Sequence, residues 1–145
     1  MNHTVAAHLS RMPIVMPNRV SWAEMDAFRH VNNVVFFRYF ENARIECLIR
    51  IGLGDDTRPD GIGPILHSTS ARFRRPLRFP DVAWTGTRIS AVGDDRFTME
   101  YRVVSEQQEE IAAEGEAIVV AYDYGSGRKA ALPADVRSAI AGMHG

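Results

Sequence analysis

Residues 22–44, WAEMDAFRHVNNVVFFRYFENAR, change character in the middle, and that change decides the fold. The first half is a polar turn holding two carboxylates, an arginine and a histidine. The second half has the spacing of a long apolar helix. Asn32 or Asn33 suits the N-cap, because an asparagine side chain accepts from the free N–H groups of a first helical turn. At 100° per residue, Phe36, Tyr39, Phe40, Ala43 and Cys47 fall on one stripe, with Arg38, Asn42 and Glu46 opposite. Such a stripe belongs to a helix laid against a sheet. Phe37 and Leu48 widen the apolar arc until it encloses Arg44, which then needs a partner, and Glu41 one turn earlier is the nearest. Gly52 and Gly54 mark the C-terminal cap.

On the N-terminal side, residues 14–16 and 19–22 suit a first strand interrupted by Pro17, which places it at an edge or a bulge and ends it near Glu24. On the C-terminal side, turn signals divide the chain into four extended segments at 65–74, 82–92, 96–105 and 111–124. In the third of these, Phe97, Met99, Tyr101 and Val103 alternate with Thr98, Glu100 and Arg102, the clearest strand pattern in the chain. Residues 131–143, ALPADVRSAIAGM, read as a short terminal helix with Pro133 near its first turn. The order β-α-β-β-β-β-α predicts an α+β fold: a five-stranded antiparallel sheet with one long helix on a single face. All 145 residues form one domain, with 1–13 expected as a flexible leader.

Charged residues make up 24% of the chain and the formal net charge is -1, a balance that points away from nucleic acid and toward a small molecule or a protein. The single cysteine, Cys47, excludes an internal disulfide and sits on the apolar stripe, where it packs rather than reacts. No run of 18 apolar residues occurs, so no membrane-spanning helix is expected, and a cytoplasmic location fits. The five histidines, at 3, 8, 30, 67 and 144, lack ligand spacing, so no metal site and no cofactor is expected. There is neither a serine nucleophile elbow nor a glycine-rich dinucleotide loop.

The turn before the helix is where chemistry belongs. A helix start presents unpaired N–H groups and the positive end of the helix dipole, which favour an anion or a developing oxyanion. Asp26 stands beside that site, either as a group that acts there or as a turn residue satisfying backbone N–H groups. His30 is read as orienting substrate or Asp26, or as structural. Arg72, Arg74, Arg75 and Arg78 are either a solvated strand end or a cluster that binds phosphate.

The stretches DAFRHVNN and YFENAR, with Asp26, His30, Val31, Asn32, Asn33, Tyr39, Glu41, Ala43 and Arg44, resemble the active-site segment of the hot-dog-fold acyl-CoA thioesterases, the 4-hydroxybenzoyl-CoA thioesterase-like group. RFRRPLRFPD, from Arg72 to Asp81, and VVAYDYGSGRKAALP, from Val119 to Pro133, extend the resemblance over nearly the whole chain. It implies a hot-dog fold, with the sheet wrapped around the long helix, and sheets joined edge to edge in a homodimer or a dimer of dimers, with active sites at the dimer interface. It implies hydrolysis of an acyl-CoA, or of an acyl carrier protein thioester, with a non-catalytic domain that binds an acyl thioester as the remaining alternative. Asp26 then serves as nucleophile or general base, a backbone N–H near Asn33 polarises the carbonyl, and His30 assists. The arginine cluster would take the coenzyme A phosphates. Three positions depart from the pattern: Arg29 where Gly is frequent, Glu24 where Asp is usual, and Phe73 in place of a common Tyr.

Overall fold

The computed structural model describes residues 1–144. Its central element is the helix α2, Asn33–Ile51. Asn32 caps it, the side-chain Oδ1 accepting from the Val34 N–H at 3.1 Å, and Gly52 ends it in the left-handed conformation at φ 87°, which a residue without Cβ adopts at no steric cost. The expected stripe is the buried face: Phe36, Tyr39, Phe40, Ala43 and Cys47 are all buried.

Around this helix curl β1 (Ile14–Arg19), β2 (Ile62–Phe73), β3 (Val82–Val92), β4 (Arg96–Ser105) and β5 (Glu110–Asp123), all antiparallel, in the spatial order β1-β3-β4-β5-β2. A two-residue β6, Arg128–Lys129, folds back on β5 and makes the sheet six-stranded instead of five-stranded. The short helix α3, Ala134–His144, inserts Val136 and Ile140 into the core beside α2. This is the hot-dog architecture, with β1 and β2 as the two edges.

Packing between helix and sheet is closest at Gly115. The Phe40 ring stacks on Tyr101 with centroids 4.7 Å apart and planes 13° from parallel, and a Cβ at Gly115 would lie 2.5 Å from Phe40 Cε2. Only glycine lets the ring lie so close to β5. The Tyr101 hydroxyl in turn accepts from Arg44 Nη1 at 3.1 Å. Glu41, the partner expected from helix spacing, forms an ion pair with Arg44 at 3.7 Å from the exposed side, so the half-buried guanidinium is held from both helix and sheet.

Two local expectations are corrected, for the first strand and for the leader, and β2 carries an irregularity of its own. The first strand ends at Arg19, and Trp22–Glu24 is a turn of 3-10 helix in which the Glu24 carboxylate accepts from the Ser21 N–H at 2.7 Å. In β2 the alternation is not continuous: a bulge between Leu66 and Ser68 leaves His67 unpaired, so Leu66 opposite Val119 and Thr69 opposite Ala117 share the helix-facing side. The leader carries regular structure. His3–His8 form α1, capped by the Asn2 side chain, and Val5 and Leu9 are buried against Val104 on the face of the sheet opposite α2. Apolar burial on that second face stabilises a helix too short to persist alone.

Candidate active site

The turn between the 3-10 segment and α2 is tied by its own backbone. The Asp26 N–H donates to the His30 carbonyl at 2.8 Å, the Asn32 N–H to the Glu24 carbonyl at 3.0 Å, and Met25 pairs with Val31 as an isolated antiparallel bridge. Residues 24–26 therefore run back alongside 30–32, with Glu24 across from Asn32 and Asp26 across from His30. Within this loop Asp26 Oδ1 accepts from the Phe28 N–H at 2.8 Å and the His30 N–H at 3.4 Å. No protein donor among the described residues bonds to Oδ2, and the side chain is exposed. Both readings of Asp26 are thus present in one residue: one oxygen holds the turn, and the other is free.

At the helix start, Asn32 satisfies the Val34 amide and its carbonyl accepts from the Val35 N–H at 2.9 Å. The Asn33 N–H has no acceptor among the described residues, as expected of the first position of a helix. A free amide at the positive end of a 19-residue helix can take an oxyanion.

Other elements hold this assembly from outside. The Val31 N–H donates to the Leu77 carbonyl at 2.8 Å, which fastens the turn to the loop between β2 and β3. From the same loop Arg78 Nη2 lies 2.9 Å from His30 Nε2. A guanidinium can only donate. His30 must therefore offer Nε2 as acceptor and carry its proton on Nδ1. Arg29, where glycine is frequent, has φ 63°, the left-handed region that explains why glycine suits that place. Glu24 also accepts from the Tyr39 hydroxyl at 3.4 Å; burial, then the Glu24 charge, push that hydroxyl well above its ordinary pKa. Phe73 stands edge-on to Phe36 and Phe37, with centroids 5.3 and 6.4 Å away.

The four arginines do not stay together. Arg78 reaches His30, and Arg75 is exposed on the same loop. Arg74 pairs with Glu114, and Arg72 lies opposite Glu114 in the β2–β5 register, both on the sheet face away from α2. The contact between Arg78 and His30 joins segments 48 residues apart and had no signature in the sequence. Among the described residues no three His, Cys, Asp or Glu side chains cluster closely enough to hold a metal ion. Burial pushes the Cys47 thiol up to about 12, which keeps it protonated and inert.

Residues 20–140 match the thioesterase-like superfamily, a span covering most of the chain. The protein belongs to that superfamily. As a member it is a thioester hydrolase, with the hot-dog fold described above. Solved structures similar to it include the PA5185 protein of Pseudomonas aeruginosa strain PAO1, at 28% identity over 93% of this chain and 94% of that one, with a TM-score of 0.81. A thioesterase of Thermus thermophilus, solved in complex with coenzyme A and Zn, is 27% identical over 92% of this chain and 96% of that one, TM-score 0.79. Among curated thioesterases, the chloroplastic acyl-acyl carrier protein thioesterase ATL3 of Arabidopsis thaliana is 28% identical over 116 residues, which are 79% of this chain and 60% of that protein.

Proposed function

We propose that the protein hydrolyses acyl-CoA thioesters at the Asp26–Asn33 turn. The observation that supports this reading is a carboxylate with one fixed and one free oxygen, in the turn that leads into an unpaired amide at the N-terminus of α2. The thioester carbonyl oxygen takes the Asn33 N–H and becomes the oxyanion there; removing one such donor costs about 3 kcal/mol of transition-state stabilisation in other systems. Asp26 Oδ2 either accepts the proton of a water that attacks the carbonyl carbon, or attacks itself to give an acyl-aspartyl anhydride that water then opens. Either route releases the thiol and the free acid. His30, with Nε2 turned to Arg78, leaves Nδ1 to meet substrate.

In this reading Arg75 and Arg78 meet the phosphates of coenzyme A; their position on the loop that braces the turn supports it. Around that turn Trp22, Phe28 and Val34 are 71, 81 and 71% exposed, and one side of β2 has no strand partner. Apolar surface beside an open edge supports a homodimer in which a second copy supplies the missing wall of the acyl pocket. No described helix is long and apolar enough to cross a membrane; the unpaired Cys47 suits a reducing, cytoplasmic location.

A thiol-release assay over short, long, branched and aromatic acyl-CoAs tests the proposal, and absence of turnover on every member ends it. Similarity to a carrier-protein thioesterase supports a second reading, with acyl carrier protein as the thiol carrier. Matched acyl groups on both carriers separate the two by kcat/KM. Single turnover in H₂¹⁸O distinguishes the roles of Asp26, since only the anhydride route places label in its carboxylate.

A further inference from the structure

A cavity of about 570 Å³ lies away from Asp26, on the opposite face of the sheet, roofed by the N-terminal segment. Its floor is set by strand register. Arg72, Glu114 and Arg102 lie side by side across β2, β5 and β4, next to a row formed by Ser70, Glu116, Glu100 and Arg88. These alternate with Ala71, Gly115, Tyr101 and Thr87, which face α2, so every floor residue points away from it.

The roof is built, not incidental. Arg102 Nη1 donates to the His8 carbonyl at 2.8 Å, and a Cβ at Gly86 would come within 2.7 Å of Met12 Cγ, so the glycine is what lets residues 9–12 lie down on the sheet. Beneath and beside this roof five guanidinium groups, of Arg11, Arg72, Arg74, Arg88 and Arg102, face three carboxylates, giving the cavity a net positive charge of two in a chain whose net charge is -1. Two carboxylates are already engaged: Glu114 by Arg74 and Arg102, and Glu100 by Arg88. Glu116 bears the one carboxylate without a cation partner. Arg11 and Arg72 have no hydrogen-bond or ion-pair partner among the described residues, and Arg102 Nε is buried with none. Arg102 Nε has no surface open to a ligand, so the donors left for an acceptor in this positive cavity are the guanidinium forks of Arg11 and Arg72 and the remaining Nη hydrogens of Arg102.

We propose that this cavity is a second binding site, for a phosphate-bearing ligand held by Arg11, Arg72 and Arg102. Phosphate oxygens match the planar fork of a guanidinium, and the walls concentrate the field of the unpaired cations. The phosphate belongs either to a free small ligand or to the nucleotide end of a coenzyme A derivative. Both chemistries are served by the same three arginines.

The test is calorimetric titration of the full chain at low ionic strength with inorganic pyrophosphate and, separately, with adenosine 3′,5′-bisphosphate. Saturable binding of at least one probe is expected, weakened about tenfold or more in the Arg11→Ala/Arg72→Ala double variant. Neither side chain makes a contact the fold needs, and an unchanged melting temperature without ligand verifies this. Binding that persists in the presence of saturating acyl-CoA ether assigns the site to a free ligand, and displacement assigns it to the nucleotide end; both support the site. Equal binding by wild type and double variant, or no saturable binding of either probe, overturns it. Asp26→Asn, with its thioesterase activity removed, should bind both probes as wild type does, so failure of the hydrolase reading and failure of this one are separately visible.

Discussion

Replacing Asp26 in two ways separates its two oxygens. Asp26→Asn keeps an acceptor at Oδ1 for the Phe28 and His30 N–H groups, at 2.8 and 3.4 Å, so the turn survives. It removes the charge and basicity of Oδ2. Stability should change by about 0.5 kcal/mol or less, as for an exposed substitution that leaves no group unpaired. Loss of a positioned general base lowers kcat by about 10²–10⁴-fold, which is about 3–5 kcal/mol of barrier. Asp26→Ala removes both acceptors, and on an exposed turn that costs about 1 kcal/mol of stability in addition to the activity. The assay pairs thiol release under saturating substrate with urea denaturation of each variant. An Asn variant with wild-type kcat would refute the catalytic role outright and leave Asp26 a turn residue. Equal kcat losses that track equal stability losses in both variants would point the same way.

Three further outcomes follow from particular contacts. Gly115→Ala places a Cβ 2.5 Å from Phe40 and 2.6 Å from the Ser70 carbonyl oxygen, and overpacking of this kind should destabilise by about 1–3 kcal/mol, seen as a melting temperature lower by several degrees. With its pKa pushed up to about 12 by burial, Cys47 should not react with a thiol-specific disulfide reagent at pH 8 in the native protein, and should react stoichiometrically in denaturant; fast native labelling would contradict its burial. Hydrogen bonds from Arg58 hold the carboxyls of Asp60 and Asp135 below their ordinary value of 3.8, so the stability they contribute is fully present above that value and is lost as pH falls below it through the folded values. Arg58→Ala should therefore lower the urea midpoint more at pH 7 than at pH 3, and an effect independent of pH would show that the Arg58 contact with the Gly52 carbonyl matters more than its carboxylates.

The parts of the fold that could be read from sequence are those whose cause is local. The stripe from Phe36 to Cys47, the Asn32 cap and the Gly52 stop are all encoded within about one helical turn of where they act, and all three are present. Features fixed from a distance were legible only in part: the Glu41–Arg44 ion pair forms, but it is not the only hold on the guanidinium. Helix geometry offered Glu41 to Arg44, but the closer acceptor is Tyr101, 57 residues away on β4. The segment around α1 looked like a leader because Val5 and Leu9 form too short an apolar run to imply burial; what buries them is Val104 on the outer face of the sheet. In the same way, the arginine run reads as one cluster in sequence, while the alternation of β2 and the turn after it send Arg74 to Glu114 and Arg78 to His30.

The site shows the same division. Asp26 holds its turn through neighbours two and four residues on, and the left-handed Arg29 lies within that loop, so a short motif suffices to specify it. A non-glycine residue in this conformation costs about 1–2 kcal/mol, a strain the loop sustains because backbone bonds close it on both sides, from Asp26 to His30 and from Asn32 to Glu24. Closure also fixes where the Arg29 side chain emerges, at the exposed rim between Asp26 and His30. A glycine there would leave the turn shape intact and remove a cation from the exposed loop that carries Asp26. The departure from the family pattern therefore acts on the electrostatics of the site and not on its backbone, and Arg29→Gly should alter the salt dependence of KM for an anionic substrate while leaving the fold in place.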